Sequence, residues 1–186
     1  MESNYRFVVA TAFAAATLAS VSDAGLVGTQ CTARFYLASP EQTFAEQTFV
    51  TSSLLTEFYY STQLPGGSFG AFAIDVRSSS MTVTFDYEPA SGTLYFGDGT
   101  RLSLTIPESM QFDTFAVSGV SNVSGVELAD VSGSGTRTLV LDSSGITTNV
   151  PGASFTIDFT TSAVPGPSAL VILSAFAAIP TRRRRG

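Results

Sequence analysis

The sequence predicts an all-β protein: an antiparallel two-sheet β-sandwich of jelly-roll or immunoglobulin-like kind, flanked by an N-terminal signal helix and a short C-terminal transmembrane helix. Three observations predict it. Through the middle of the chain, apolar and polar residues alternate with the two-residue period of a strand. Between those runs stand turn formers: Pro65-Gly66-Gly67, Ser91-Gly92, Gly97-Asp98-Gly99, Gly133-Ser134-Gly135, Ser144-Gly145 and Pro151-Gly152. No long helical pattern interrupts them, and the apolar runs at the two ends are short. The 186 residues therefore divide into 1–24, a body of 25–163, and a tail of 164–186.

Residues 1–24 read as a secretory signal peptide. Arg6 and the amino terminus supply positive charge, partly offset by Glu2. Residues 7–18 are apolar except for Thr11 and Thr17, and Ser22-Asp23-Ala24 places small residues where a signal peptidase inspects them. Cleavage is expected between Ala24 and Gly25, with the bond after Ser22 as the alternative. The apolar run makes a helix of roughly 18 Å against a hydrocarbon core of about 30 Å, so it suits a transient passage better than an anchor. The competing reading is a buried core helix. A lipoprotein reading fails at Cys31, because Gln30 stands where a lipid-modifying enzyme expects a small residue. The apolar run also ends too early for it.

Within the body, strands are expected at residues 32–37, 72–76, 81–87, 93–96, 102–106, 112–117, 138–141 and 155–159. Met81, Val83, Phe85 and Tyr87 share one face of their run, and Thr82, Thr84 and Asp86 the other. Asp98-Gly99 lies between two such runs, which predicts a hairpin joining 93–96 to 100–106. Residues 44–60 admit a helix, but Thr48, Val50, Thr51, Phe58, Tyr59 and Tyr60 favour strand. Eight to ten strands in two sheets follow. A body of this size buries roughly two-thirds of its unfolded surface without cross-links. Cys31 has no partner for a disulfide and reads as a small apolar residue.

Composition narrows the chemistry. There is no His, no Trp and no Lys. Without His, and with one Cys, neither a Cys/His zinc site nor a Ser-His-Asp system can be built. The body carries four arginines against thirteen acids, a net charge of −9. That charge repels nucleic acid and anionic lipid. Asp98 lacks the alternating ligands of a calcium loop. Asp86 and Glu88 share a strand face and read as solvated. Tyr59, Tyr60, Tyr87 and Tyr95, with Phe58, offer a platform for sugar rings, although aromatics at strand spacing more often fill a core. Asn122-Val123-Ser124 matches a glycosylation acceptor. The expectation is no catalytic residue, no metal, no cofactor and no enzymatic activity.

The tail begins Val164-Pro165-Gly166-Pro167. Proline ends the preceding strand, since it has no N–H to donate and a fixed φ, and Pro167 can open a helix. Residues 168–179 are apolar apart from Ser168 and Ser174, and Arg182, Arg183, Arg184 and Arg185 close the chain with positive charge. Such a block stays cytoplasmic and leaves the upstream protein outside. The helix would span only about 21 Å. An ordinary single anchor is one reading. The three-part tail also resembles the PEP-CTERM sorting signal of bacterial exported proteins, with Gly166 in place of the motif's glutamate.

That resemblance implies processing by an exosortase, a membrane-embedded transpeptidase-like enzyme, in an envelope that makes exopolysaccharide. Signal peptidase and exosortase are then the expected partners, with the membrane engaged through the C-terminal helix and exopolysaccharide as a further partner. The functional expectation is a non-catalytic surface protein of the cell envelope or its matrix. A displayed carbohydrate-binding module and a carboxylate-dependent glycan-active enzyme are the alternatives.

Overall fold

The computed structural model describes residues 25–53, 56–63, 69–87, 94–148 and 150–164. The apolar run before Ala24, the tail from Pro165 through Arg185, and Glu88 lie outside the described residues. So do the side chains of Tyr87 and Tyr95. What is described is all-β and antiparallel, with the layered packing of a β-sandwich.

In chain order the strands are β1 Gln30–Ala38, β2 Glu41–Val50, β3 Phe58–Gln63, β4 Phe69–Val76, β5 Ser80–Tyr87, β6 Leu94–Tyr95, β7 Thr100–Thr105 and β8 Met110–Ser121. They continue with β9 Val123–Ser124, β10 Val131–Ser132, β11 Thr138–Asp142, β12 Thr147–Thr148 and β13 Ser154–Ala163, and one 3-10 turn covers Leu128–Asp130. One five-stranded sheet has the order β10-β11-β7-β1-β2, and the other β3-β4-β5-β13-β8. The sequence predicts two sheets; there is also a third, small one, β6-β12-β9. Its strands all belong to connections between the large sheets.

The alternation read from the sequence becomes the core. Cys31, Ala33, Phe35, Leu102, Leu104, Leu139 and Leu141 line the inner face of the first sheet. Phe58, Phe72, Ile74, Val83, Phe85, Phe155 and Ile157 face them from the second. Phe35 of β1 meets Phe72 of β4 edge-on at 5.2 Å, and Phe112 of β8 meets Phe159 of β13 at 5.1 Å. Edge-to-face rings at such distances add about 0.5–1.5 kcal/mol beyond burial.

The predicted hairpin at Asp98-Gly99 does not form. A tight turn is present: Thr100 donates its N–H to the Gly97 carbonyl at 3.2 Å, and Gly99 takes a φ of +76°. However, β6 pairs with β12, while β7 pairs with β1 and β11. Phe96 N–H donates to the Ile146 carbonyl and Ser143 N–H to the Thr100 carbonyl. Thus β6 and β7 together run beside β11 and β12 as one long ribbon. The Asp-Gly segment, with Ser144-Gly145 opposite it, bends that ribbon instead of reversing it. Gly99 N–H donates to the Ser144 hydroxyl at 2.8 Å and holds the two bends together.

Residues 44–50 and 58–60 are strand, in β2 and β3, and no helix lies between them among the described residues. β2 contains Glu-Gln-Thr-Phe twice, at 41–44 and 46–49. A five-residue repeat should alternate faces on a regular strand. A bulge corrects this, because the register shifts between Phe35/Ala45 and Tyr36/Thr43 and leaves Phe44 as the extra residue. Glu41 and Glu46 then flank the same Arg34, at 2.7 and 3.6 Å. Phe49 packs half-buried against the core, and the exposed Phe44 places its ring 5.2 Å from that of Phe35.

The connection from β2 to β3 is fixed by Glu57, which is 7% exposed. Its carboxylate accepts the N–H groups of Ser52 at 2.7 Å and Val76 at 2.8 Å. The two long edges of the sandwich differ. At one, Phe112 of β8 exchanges backbone hydrogen bonds with Gly135 and Thr136, which lead into β11. At the other, β2 and β3 face each other with no backbone pairing among the described residues. Both termini of the described body lie at the same end of the second sheet. Leu26 N–H donates to the Ser78 carbonyl beyond the end of β4, and Val164 N–H to the Ser109 carbonyl beyond the end of β13.

Candidate functional site

The expected processing positions are described only in part. Gly25 is exposed, and Leu26 directly behind it is fully buried. Val164 is 40% exposed at the far end. Ala24, Pro165, Gly166, Pro167 and the four arginines Arg182, Arg183, Arg184 and Arg185 lie outside the described residues. Among the described residues no three His, Cys, Asp or Glu side chains group as a metal site. No helix among them is long and apolar enough to cross a membrane.

Cys31 sits on the inner face of β1, 1% exposed. Burial, assisted by the nearby charge of Glu57, pushes its thiol up to about 11 from 9.0. The thiolate is the nucleophile, so this sulfur is inert at neutral pH. Asn122 takes a φ of +57° at the turn between β8 and β9, where it is exposed.

The aromatic platform expected from Tyr59, Tyr60 and Phe58 is divided by the strand period. Phe58 and Tyr60 point inward: Phe58 is 2% exposed, and the Tyr60 ring packs 5.1 Å from Phe35. Tyr59 alone points outward, 56% exposed, on edge strand β3. The sequence offers the residue types, but a one-residue change of register would exchange their faces.

Tyr59 stands at the rim of a hollow on the outer face of the second sheet. Its neighbours across the strands are Ala73 of β4 and Thr84 of β5, and the next outward row is Ser61, Ala71 and Asp86. Ala73 in the middle strand leaves a low floor between the taller side chains of β3 and β5. The hollow encloses about 300 Å³, lined by Thr56, Tyr59, Ala73, Asp75, Thr84 and Asp86, with Gly152 at one end. Asp75 gives one carboxylate oxygen to Arg77, while its Oδ1 is buried with no hydrogen-bond partner. Asp86 is exposed and, among the described residues, has no ion pair.

Two other recesses differ in kind. Between β2 and β3, an apolar mouth of about 170 Å³ is lined by Phe35, Phe44, Tyr60, Phe72 and Phe96. On the outer face of the first sheet, Arg101, Asp130, Ser132 and Asp142 border a polar hollow of about 250 Å³. There the Asp142 carboxyl is held below its ordinary value. Hydrogen bonding from the Ser144 side chain does most of this, and its backbone N–H and the charge of Arg101 assist against the opposing effect of burial.

The geometry also bears on a glycosidase-type pair. Asp75 and Asp86 come from different strands of one hollow. Yet Asp86 pairs with Ala71, four residues before Asp75 on β4. At about 3.3 Å per residue that is roughly 13 Å, beyond the ~5–9.5 Å that such carboxylates use.

Fold and surface together define an antiparallel all-β protein with an aromatic-rimmed, carboxylate-lined outer hollow. No protein family model matches the chain, and no curated protein or solved structure matches it either.

Proposed function

We propose that the protein is exported and sorted at its C-terminus to the cell envelope or an exopolysaccharide matrix, where its β body acts without catalysis. One observation carries this reading. Val164-Pro165-Gly166-Pro167, an apolar stretch and four closing arginines occur in that order, starting at the residue after β13 ends. The signal-like residues 1–24 stand just before the first buried residue of the body, Leu26. On this reading the body is a jelly-roll or immunoglobulin-like sandwich set between a signal helix and a C-terminal transmembrane helix.

Intact mass measurement of the protein from its native host tests both processing events together. The expected masses correspond to loss of residues 1–24 and to a shortened or modified C-terminus. An unprocessed chain at both ends would overturn the proposal. Replacing Pro165 and Pro167 should leave the tail unprocessed in a host that carries the sorting enzyme. Neutral residues at positions 182–185 should disturb orientation or retention in fractionated cells.

A second reading, a carbohydrate-binding module on the same scaffold, is favoured by the outward, solvent-facing ring of Tyr59.

A further inference from the structure

We propose that the Tyr59 hollow binds a neutral, hydroxyl-rich polysaccharide, with a pyranose ring stacked on Tyr59 and a hydroxyl donated to Asp86. This rests on the carbohydrate-binding reading and adds the site, the ligand class and the role of each residue.

Three observations converge on it. The Tyr59 ring lies uncovered on an edge strand, presenting an apolar face with a polar tip, the combination found where one side of a ligand is apolar and the other wet. The floor beside it is kept low by Ala73, so a flat ring can lie across the sheet between Tyr59 and Thr84. The exposed carboxylate of Asp86 at the wall is an acceptor only, and a hydroxyl donor meets it with a hydrogen bond stronger than one between neutral groups.

The charge selects among glycans. Thirteen acids against four arginines in residues 25–163 repel a polyuronate or a sulfated chain. Arg77, the neighbour of Asp75, is already engaged by its carboxylate. A neutral polymer meets no such penalty.

The test is affinity electrophoresis of the full chain in mild detergent, through native gels containing hydroxyethylcellulose, galactomannan or polygalacturonate. Retardation by a neutral polymer and none by polygalacturonate is expected. Tyr59→Ala should weaken the retardation at least tenfold, Tyr59→Phe should keep most of it, and Asp86→Asn should reduce it several-fold. Ala73→Gln, which fills the trough and leaves Tyr59 in place, should abolish it, with circular dichroism confirming that each variant is folded. No retardation by either neutral polymer, equal retardation by polygalacturonate, or full retardation of Tyr59→Ala or Ala73→Gln would overturn the proposal. Export is scored separately by cell fractionation. Binding lost in a correctly exported protein removes only this site, whereas binding by a protein that stays in the cytoplasm removes only the sorting reading.

Discussion

Glu57 shows how much one polar side chain can hold. It is buried, and its carboxylate accepts two backbone N–H groups, those of Ser52 and Val76. Hydrogen bonds to a charged group contribute about 1.5–3 kcal/mol each, and an orphaned buried donor costs a similar amount. Glu57→Ala should therefore lower stability by roughly 3 kcal/mol, read as a shift of the urea midpoint at unchanged slope. Asp142 gives the pH counterpart. Its folded carboxyl titrates below the ordinary 3.8, so its contribution is complete above that value and is lost as the pH falls through the lower folded value. Asp142→Asn should narrow the difference between the urea midpoints measured at pH 5 and pH 3. Neither role was legible in the sequence, because an acid among serines and threonines looks the same whether it faces water or two amides.

At the level of elements, the strands that bury one face were readable, and those at an edge were not. β5 and β13 alternate cleanly because each has a core on one side and solvent on the other. β2 is exposed along almost its whole length, so burial imposed no period, and its five-residue repeat makes sense only with the bulge at Phe44. Turn chemistry had a similar limit. Asp98-Gly99 fixes a local bend, while the partners of the flanking strands are chosen by packing far away in sequence. Gly133 is a sharper case. Its φ is +112°, and a Cβ there would lie 2.0 Å from the Thr138 carbonyl oxygen. That contact is with backbone that leads into β11, so no side chain can yield. Gly133→Ala should destabilise by more than the ~1 kcal/mol ordinary for such exchanges, with a lowered melting temperature and local loss of amide protection around residues 131–138. The hollow was half legible: the tyrosines were visible as a cluster, but their division between faces and the alanine floor belong to the register.

Among the described residues the two large sheets share one core, and Cys31 reports on it. Because the sulfur lies between the sheets, no local opening of an edge should expose it. Its modification by a thiol reagent at pH 8 should follow the same denaturant curve as circular dichroism, and a thiol that reacts at native rates before the transition would disprove the shared core. The raised thiol pKa adds an alkaline signature: its contribution to stability is complete below 9.0 and is lost as the pH rises toward about 11. Val164 lies ten residues beyond Ser154, which is the cross-strand neighbour of Thr84 in the Tyr59 row. At about 3.3 Å per residue that is roughly 30 Å, close to the thickness of a bilayer's interior. With the tail anchored as proposed, the body would act as a spacer of that length, holding the Tyr59 ring away from the lipid surface.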